Sequence, residues 1–203
     1  MKNRMLVLHF LCLALTMAAC GKYSVKRSRK PLVSLLIQNS GFEDEGSWAI
    51  SAPPNYSQYG LMTIAEDGCH SGKKCGLISL ERMPGQRDEQ IIHAWTQEIQ
   101  NVPTGKIVIF GGWVAAVENT IVHMAIEYEV TTPINGQVIF TKYVNWHAQG
   151  TDFHFLSGRM QFPENVVSAY FMAGISSVGE AKFDNLFVFV DPQKRQQEIF
   201  TTK

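Results

Sequence analysis

Ile121-Val122-His123-Met124-Ala125-Ile126-Glu127-Tyr128-Glu129-Val130 is the stretch that decides the fold. Val122, Met124, Ile126, Tyr128 and Val130 form one apolar face, while His123, Glu127 and Glu129 mark the other. Successive side chains leave a pleated backbone on opposite sides, so a period of two signals a strand with one side buried. The run ends in Asn135-Gly136, a pair that accepts the positive φ angles of a tight hairpin. Residues 138–144 then return as the partner strand.

Working outward, residues 107–110 lead through Gly111-Gly112 into residues 113–117. Further strands are expected at residues 153–160, 167–173 and 182–190, and residues 32–37 form a short apolar run. After the N-terminal segment no stretch of a dozen residues keeps a helical period, and Gly and Pro recur at strand-like intervals. The expected fold is all-β, a β-sandwich of the jelly-roll kind.

The N-terminus follows another logic. Met1-Lys2-Asn3-Arg4 is basic, residues 5–17 are almost uninterruptedly apolar, and Ala18-Ala19 precede Cys20. This is the layout of a bacterial secretory signal, and a cysteine directly after small residues resembles a lipoprotein cleavage box. The apolar run is short for a spanning helix, which needs ~20 apolar residues. The resemblance implies cleavage before Cys20, lipidation of Cys20, and export to the cell envelope on a membrane anchor. Gly21 stands where Asp would mark inner-membrane retention, so an outer-membrane address is favoured in a Gram-negative host. The expected layout is a signal at 1–19, a basic tether at 20–31, a jelly-roll domain at 32–192 and a polar tail at 193–203.

Charge excludes some function classes. The 18 Lys and Arg balance the 18 Asp and Glu, so no global field favours nucleic acid. The clearest basic cluster, Lys22, Lys26, Arg27, Arg29 and Lys30, lies beside the proposed anchor, where it suits anionic headgroups. Of the four cysteines, Cys12 falls in the signal and Cys20 is the lipidation candidate. Cys69 and Cys75 remain, in a glycine-bearing loop that permits a disulfide in an oxidising compartment. A metal site using His70 is the rival, but it lacks the second ligand pair that zinc motifs carry.

Five stretches in order resemble carbohydrate-binding modules of the galactose-binding-like jelly-roll type, families four, nine and twenty-two. They are Asn39-Ser40-Gly41-Phe42-Glu43 with Trp48; His70-Ser71-Gly72-Lys73 with Leu77 and Ile78; Trp95-Thr96-Gln97 to Trp113; Asp152-Phe153 to Pro163; and Phe183-Asp184-Asn185-Leu186. Asn185 replaces the second Asp of the last motif, Phe153 replaces the usual Trp, and the cysteine pair is additional. The resemblance implies non-catalytic carbohydrate binding and a structural calcium. Glu43 and Asp184 would be the calcium's side-chain ligands, with carbonyls near Lys73 completing the hard-oxygen shell.

A sugar site wants flat aromatic rings and a few directed polar groups. The candidates are Trp146, Tyr56, Tyr59 and Trp48, with His123, Glu127 and Glu129 on one strand face. Trp95 and Trp113 are expected in the core. Glu127 and Glu129 would stand ~6.6–6.8 Å apart along a strand, within the ~6.5–9.5 Å of inverting glycosidases. Both project from one strand in the same direction, however, whereas catalytic carboxyls flank the bond. No G-x-S-x-G nucleophile motif is present. The chain is therefore expected to be no enzyme. The alternative to a glycan ligand is a protein partner, bound by an envelope structural or adhesive lipoprotein.

Overall fold

The computed structural model describes residues 35–44, 46–53, 59–82 and 92–192. The signal, Cys20, the tether, Tyr56 and the polar tail lie outside them. The chain divides into Met1–Leu32 and Val33–Lys203, and the first unit lies wholly outside the described residues.

The second unit is a sandwich of two antiparallel sheets. Its strands are β1 Ala49–Ser51, β2 Gly60–Ala65, β3 Cys75–Leu80, β4 His93–Glu98, β5 Ile107–Ala116, β6 Ile121–Ile134, β7 Gln137–His147, β8 His154–Gln161, β9 Val166–Ile175 and β10 Gly179–Val190. The first sheet runs β1-β4-β9-β6-β7 and the second β2-β3-β10-β5-β8. No α-helix forms among the described residues. The strands expected at 153–160, 167–173 and 182–190 appear as β8, β9 and β10, each longer or shifted by one to three residues at an end.

Alternation sets the core. Met124 and Ile126 of β6 and Phe171 of β9 meet Phe110 of β5 and Phe183 of β10, and all are fully buried. Phe110 reaches Phe171 across the sandwich, ring centres 6.3 Å apart. Burying each such side chain contributes about 1.5–3 kcal/mol. The β6–β7 hairpin closes through Asn135 at φ 53° and Gly136 at φ 78°, the positive pair that a two-residue turn requires.

Trp95 is core as expected, at 5% exposure. Trp113 is not. The period of β5 buries Val114 and sends Trp113 outward, where its ring stacks on His70 at 4.0 Å. Apolar residues on both sides of Trp113 disguise its parity in the sequence.

Cys69 and Cys75 form a disulfide, Cα–Cα 5.6 Å, across a separation of six residues. The bridge takes both thiols out of play as metal ligands. Closing so short a loop contributes about 2 kcal/mol in the chain-entropy model.

Candidate functional site

The outer face of the first sheet carries the best-organised group of polar and aromatic side chains. Its rows follow from register. Glu98, Tyr170, Glu127 and Thr141 lie side by side across β4, β9, β6 and β7. In the next row stand Thr96, Met172, Ala125 and Tyr143, and in the one after it Ala94, Gly174, His123 and Asn145. Tyr170 and Tyr143 are each 42% exposed, while Ala125 between them is buried. Two tyrosines thus stand on either side of the buried Ala125, with Glu127 and Glu98 on either side of Tyr170.

His123 anchors one end of this face. It is 7% exposed and sits edge-on to Tyr143 at 6.1 Å. Its Nδ1 pairs with Asn145 Oδ1 at 2.8 Å, and its Nε2 pairs with Ser176 Oγ. With Asn145 presenting its carbonyl, Nδ1–H donates and Nε2 accepts from the serine hydroxyl. Burial holds His123 below the ordinary imidazole range.

The other sugar candidates do not join it. Trp146 is paired with Val122, on the core side of β7. It is packed against the core, and its ring lies 4.6 Å from His154. Trp48 stacks on Phe42 at 4.9 Å and donates its indole N–H to Asn39 O at 2.9 Å. Tyr59 is partly exposed just before β2, where its carbonyl accepts from Glu81 N–H. A shared furrow of Tyr59 and Trp146 is therefore absent, and Tyr56 lies outside the described residues. Glu127 and Glu129 do share the outer face with His123, and Glu129 is the more exposed. Tyr170 and Tyr143 are the residues that sequence reasoning missed. Tyr170 sits between apolar Ala169 and Phe171 and Tyr143 between Lys142 and Val144, and only the register places both beside Glu127 and Ala125.

Glu43 and Asp184 converge where the first loop meets β10. A Cβ placed on Gly41 would come 3.3 Å from Asp184 Oδ1 and 3.8 Å from Glu43 Cγ. Glu43 Oε1 accepts from Lys73 N–H at 2.7 Å and Lys74 N–H at 3.2 Å. These bonds favour the carboxylate and hold its pKa below the usual range. Asp184 is fully buried and accepts from Ser71 N–H at 2.7 Å and Asn185 N–H at 2.6 Å. Burial pushes its pKa up. Among the described residues no cluster of three His, Cys, Asp or Glu could hold a metal, so a cation here would also need carbonyl oxygens. The pair suits calcium in donor type, since an ionised carboxylate offers about four lone-pair sites and can serve an amide and a cation together.

The second sheet's outer face bears a strip of rings. Trp113 touches Phe155 at 5.3 Å, Phe155 stacks on Phe187 at 5.7 Å, and Phe187 meets Phe189 at 5.4 Å. His70 covers Trp113 and Phe187 covers Phe155, so these ring faces are engaged with one another.

No protein-family model matches the chain, and no curated protein matches it by sequence. Similarity to solved structures is clear at the level of fold. The chain is similar to the CBM22-1 xylan-binding domain of Paenibacillus barcinonensis Xyn10C, at TM-score 0.55 and 14% identity over 78% of this chain and 95% of that one. It is similar to a family 16 carbohydrate-binding module, at TM-score 0.53 and 14% identity over 75% and 98%. It is also similar to the enzymatically active domain of tailspike protein 4 of bacteriophage CBA120, at TM-score 0.57 and 16% identity over 77% of this chain. The chain spans 21% of that tailspike's length. The fold is thus the jelly-roll sandwich shared with carbohydrate-binding modules.

His123 gives this face a pH signature. Its proton is harder to add in the folded chain than in the unfolded one. The stability it contributes is complete above the unfolded value near 6.5 and is lost as pH falls through the lower folded value. Melting temperature should therefore hold level above about pH 6.5 and decline below it. The slope should shrink in His123→Gln, followed by thermal melts across the range.

Proposed function

We propose that this chain is a non-catalytic glycan-binding domain whose ligand lies across the outer face of the first sheet. The observation that carries it is the row Glu98–Tyr170–Glu127–Thr141 beside Met172–Ala125–Tyr143. Two exposed rings offer apolar surface to the C–H faces of sugars, carboxylates accept hydroxyl protons, and buried Ala125 gives a chain room to settle. The fold shared with xylan-binding and other carbohydrate-binding modules supports the same reading. Glu127 and Glu129 act here as hydrogen-bond acceptors and not as an acid–base pair, since both leave one strand on one side.

A protein partner is the second reading. The ring strip on the opposite face favours it, with Phe155 52% exposed.

We further propose export and anchoring through lipidated Cys20, and a bracing calcium held by Glu43 and Asp184. The signal-like N-terminus supports the first and the convergence of the two carboxylates the second. The ion would neutralise buried Asp184 and tie the first loop to β10.

Three measurements check these proposals. On a polysaccharide panel, Tyr170→Ala and Tyr143→Ala should each weaken retention about tenfold, the loss of a contact worth roughly 1.4 kcal/mol, while Phe155→Ala on the opposite sheet should change little. Retention of an envelope protein and of no glycan would favour the second reading. Adding a chelator should lower the melting temperature by several degrees in the wild type and leave Glu43→Gln unmoved. Metabolic labelling with a fatty acid should mark the wild type and not Cys20→Ser.

A further inference from the structure

The outer face of the second sheet carries an apolar patch that the glycan reading leaves unused. Register builds it in three rows. Phe155 of β8 pairs with Trp113 of β5. Ser157, Gly111 and Phe187 form the next row, and Arg159, Ile109, Phe189 and Leu35 the one after it. Phe155 is 52% exposed and Leu35 45%, while Trp113, Ile109, Phe187 and Phe189 are partly exposed around them. A contiguous apolar patch of this kind marks a surface that something else covers.

Two observations say what covers it. The first is where the chain joins the sandwich. Leu35 bridges Phe189 inside the patch, and Leu36 N–H donates to Val188 O at 2.8 Å. Cys20 precedes Leu35 by 15 residues, a length that spans at most about 50 Å. The sandwich is thus attached to its lipidation candidate at the patch itself. With Cys20 in a bilayer, docking of the patch becomes an intramolecular step for which weak contacts suffice. The second observation is charge. Lys22, Lys26, Arg27, Arg29 and Lys30 stand between Cys20 and Leu35. Arg159 ends the last row of the patch, 57% exposed and bonded through Nε and Nη2 to Asp191. Cations beside exposed rings suit a surface that is anionic outside and apolar within.

We propose that this patch lies against the phospholipid surface in which Cys20 is anchored. The proposal rests on the anchoring reading and adds an orientation to it. Rings that lean on one another offer edges more than open faces. A fluid acyl layer conforms to such an outline, and Trp, Phe and Leu are the residues that enter it from the headgroup side. The two sheets pack face to face, so docking the second sheet turns the outer face of the first away from the bilayer. Tyr143 and Tyr170 then look outward, where a glycan would be met. One sandwich has a membrane side and a ligand side.

The test takes the full chain, expressed in a bacterial host and purified in detergent, into vesicles of phosphatidylethanolamine and phosphatidylglycerol with brominated acyl chains. Bromine quenches an indole that reaches the acyl layer. Wild-type emission should be quenched relative to plain vesicles. Most of that quenching should vanish in Trp113→Phe, because Trp95 is core and Trp48 and Trp146 pack against the core. Phe155→Asp and Leu35→Asp should each cut the quenching by half or more, and Tyr143→Asp on the opposite sheet should leave it unchanged. Thermal melts show which variants fold. If fatty acid labels Cys20 but Trp113 is not quenched, or if both patch variants are quenched as the wild type is, the docking assignment fails and the anchor stands. If Trp113 is not quenched and the wild type carries an envelope protein that Phe155→Asp releases, the patch serves a protein partner and the lipid assignment is overturned. If no fatty acid labels Cys20, both readings fail together.

Discussion

Glu127 of β6 is paired with Tyr170 of β9 on one side and Thr141 of β7 on the other, and the rest of the outer face follows from that register. Side chains alternate with a period of two, so a slip of one residue would turn Tyr170 into the core and Phe171 into solvent. Burial of Phe171, Met124 and Ile126 opposes such a slip, because each is fully enclosed by the opposing sheet. The hairpin at Asn135-Gly136 sets the β6–β7 pairing independently, through two positive φ angles. Hydrophobic burial and turn geometry thus specify the same alignment, and the tyrosines, Glu127 and His123 come to one surface as a consequence.

The disulfide loop performs a comparable task at the other end of the molecule. Amides of Ser71, Lys73 and Lys74 reach Asp184 and Glu43, and Asn185 Nδ2 donates to Ser71 Oγ at 2.7 Å. Cys69–Cys75 restrains the segment from which those donors come. The same loop presents His70 to Trp113. One short covalent loop therefore joins the first loop, the last strand and the ring strip. Its amides compensate two carboxylates that would otherwise repel one another.

The jelly-roll sandwich is found here, in xylan-binding modules and in a tailspike enzymatic domain. A fold by itself does not decide function, and sites do. What distinguishes this chain is its distribution of rings. On the first sheet Tyr143 and Tyr170 stand apart around a buried alanine. On the second sheet the rings lean on one another. Separated rings keep faces free for a flat apolar ligand surface, whereas mutually stacked rings have spent theirs.

The strands were legible because β-alternation is local: Val122 to Val130 declares its two faces within ten residues, and Asn135-Gly136 declares its turn. The disulfide was legible because two cysteines in a glycine-bearing loop can meet without help from elsewhere. His123, Glu127 and Glu129 were legible as one face for the same reason as the strand itself. The tertiary structure alone decided which rings lie together. Trp146 went to the core side, Trp113 went outward, and Tyr170 and Tyr143, 27 positions apart in the sequence, became neighbours across β6. Those outcomes depend on the registers of three separate strands and on the side that each pair buries. Sequence periodicity fixes the parity of residues within a strand, but only packing one sheet on the other selects which parity meets solvent.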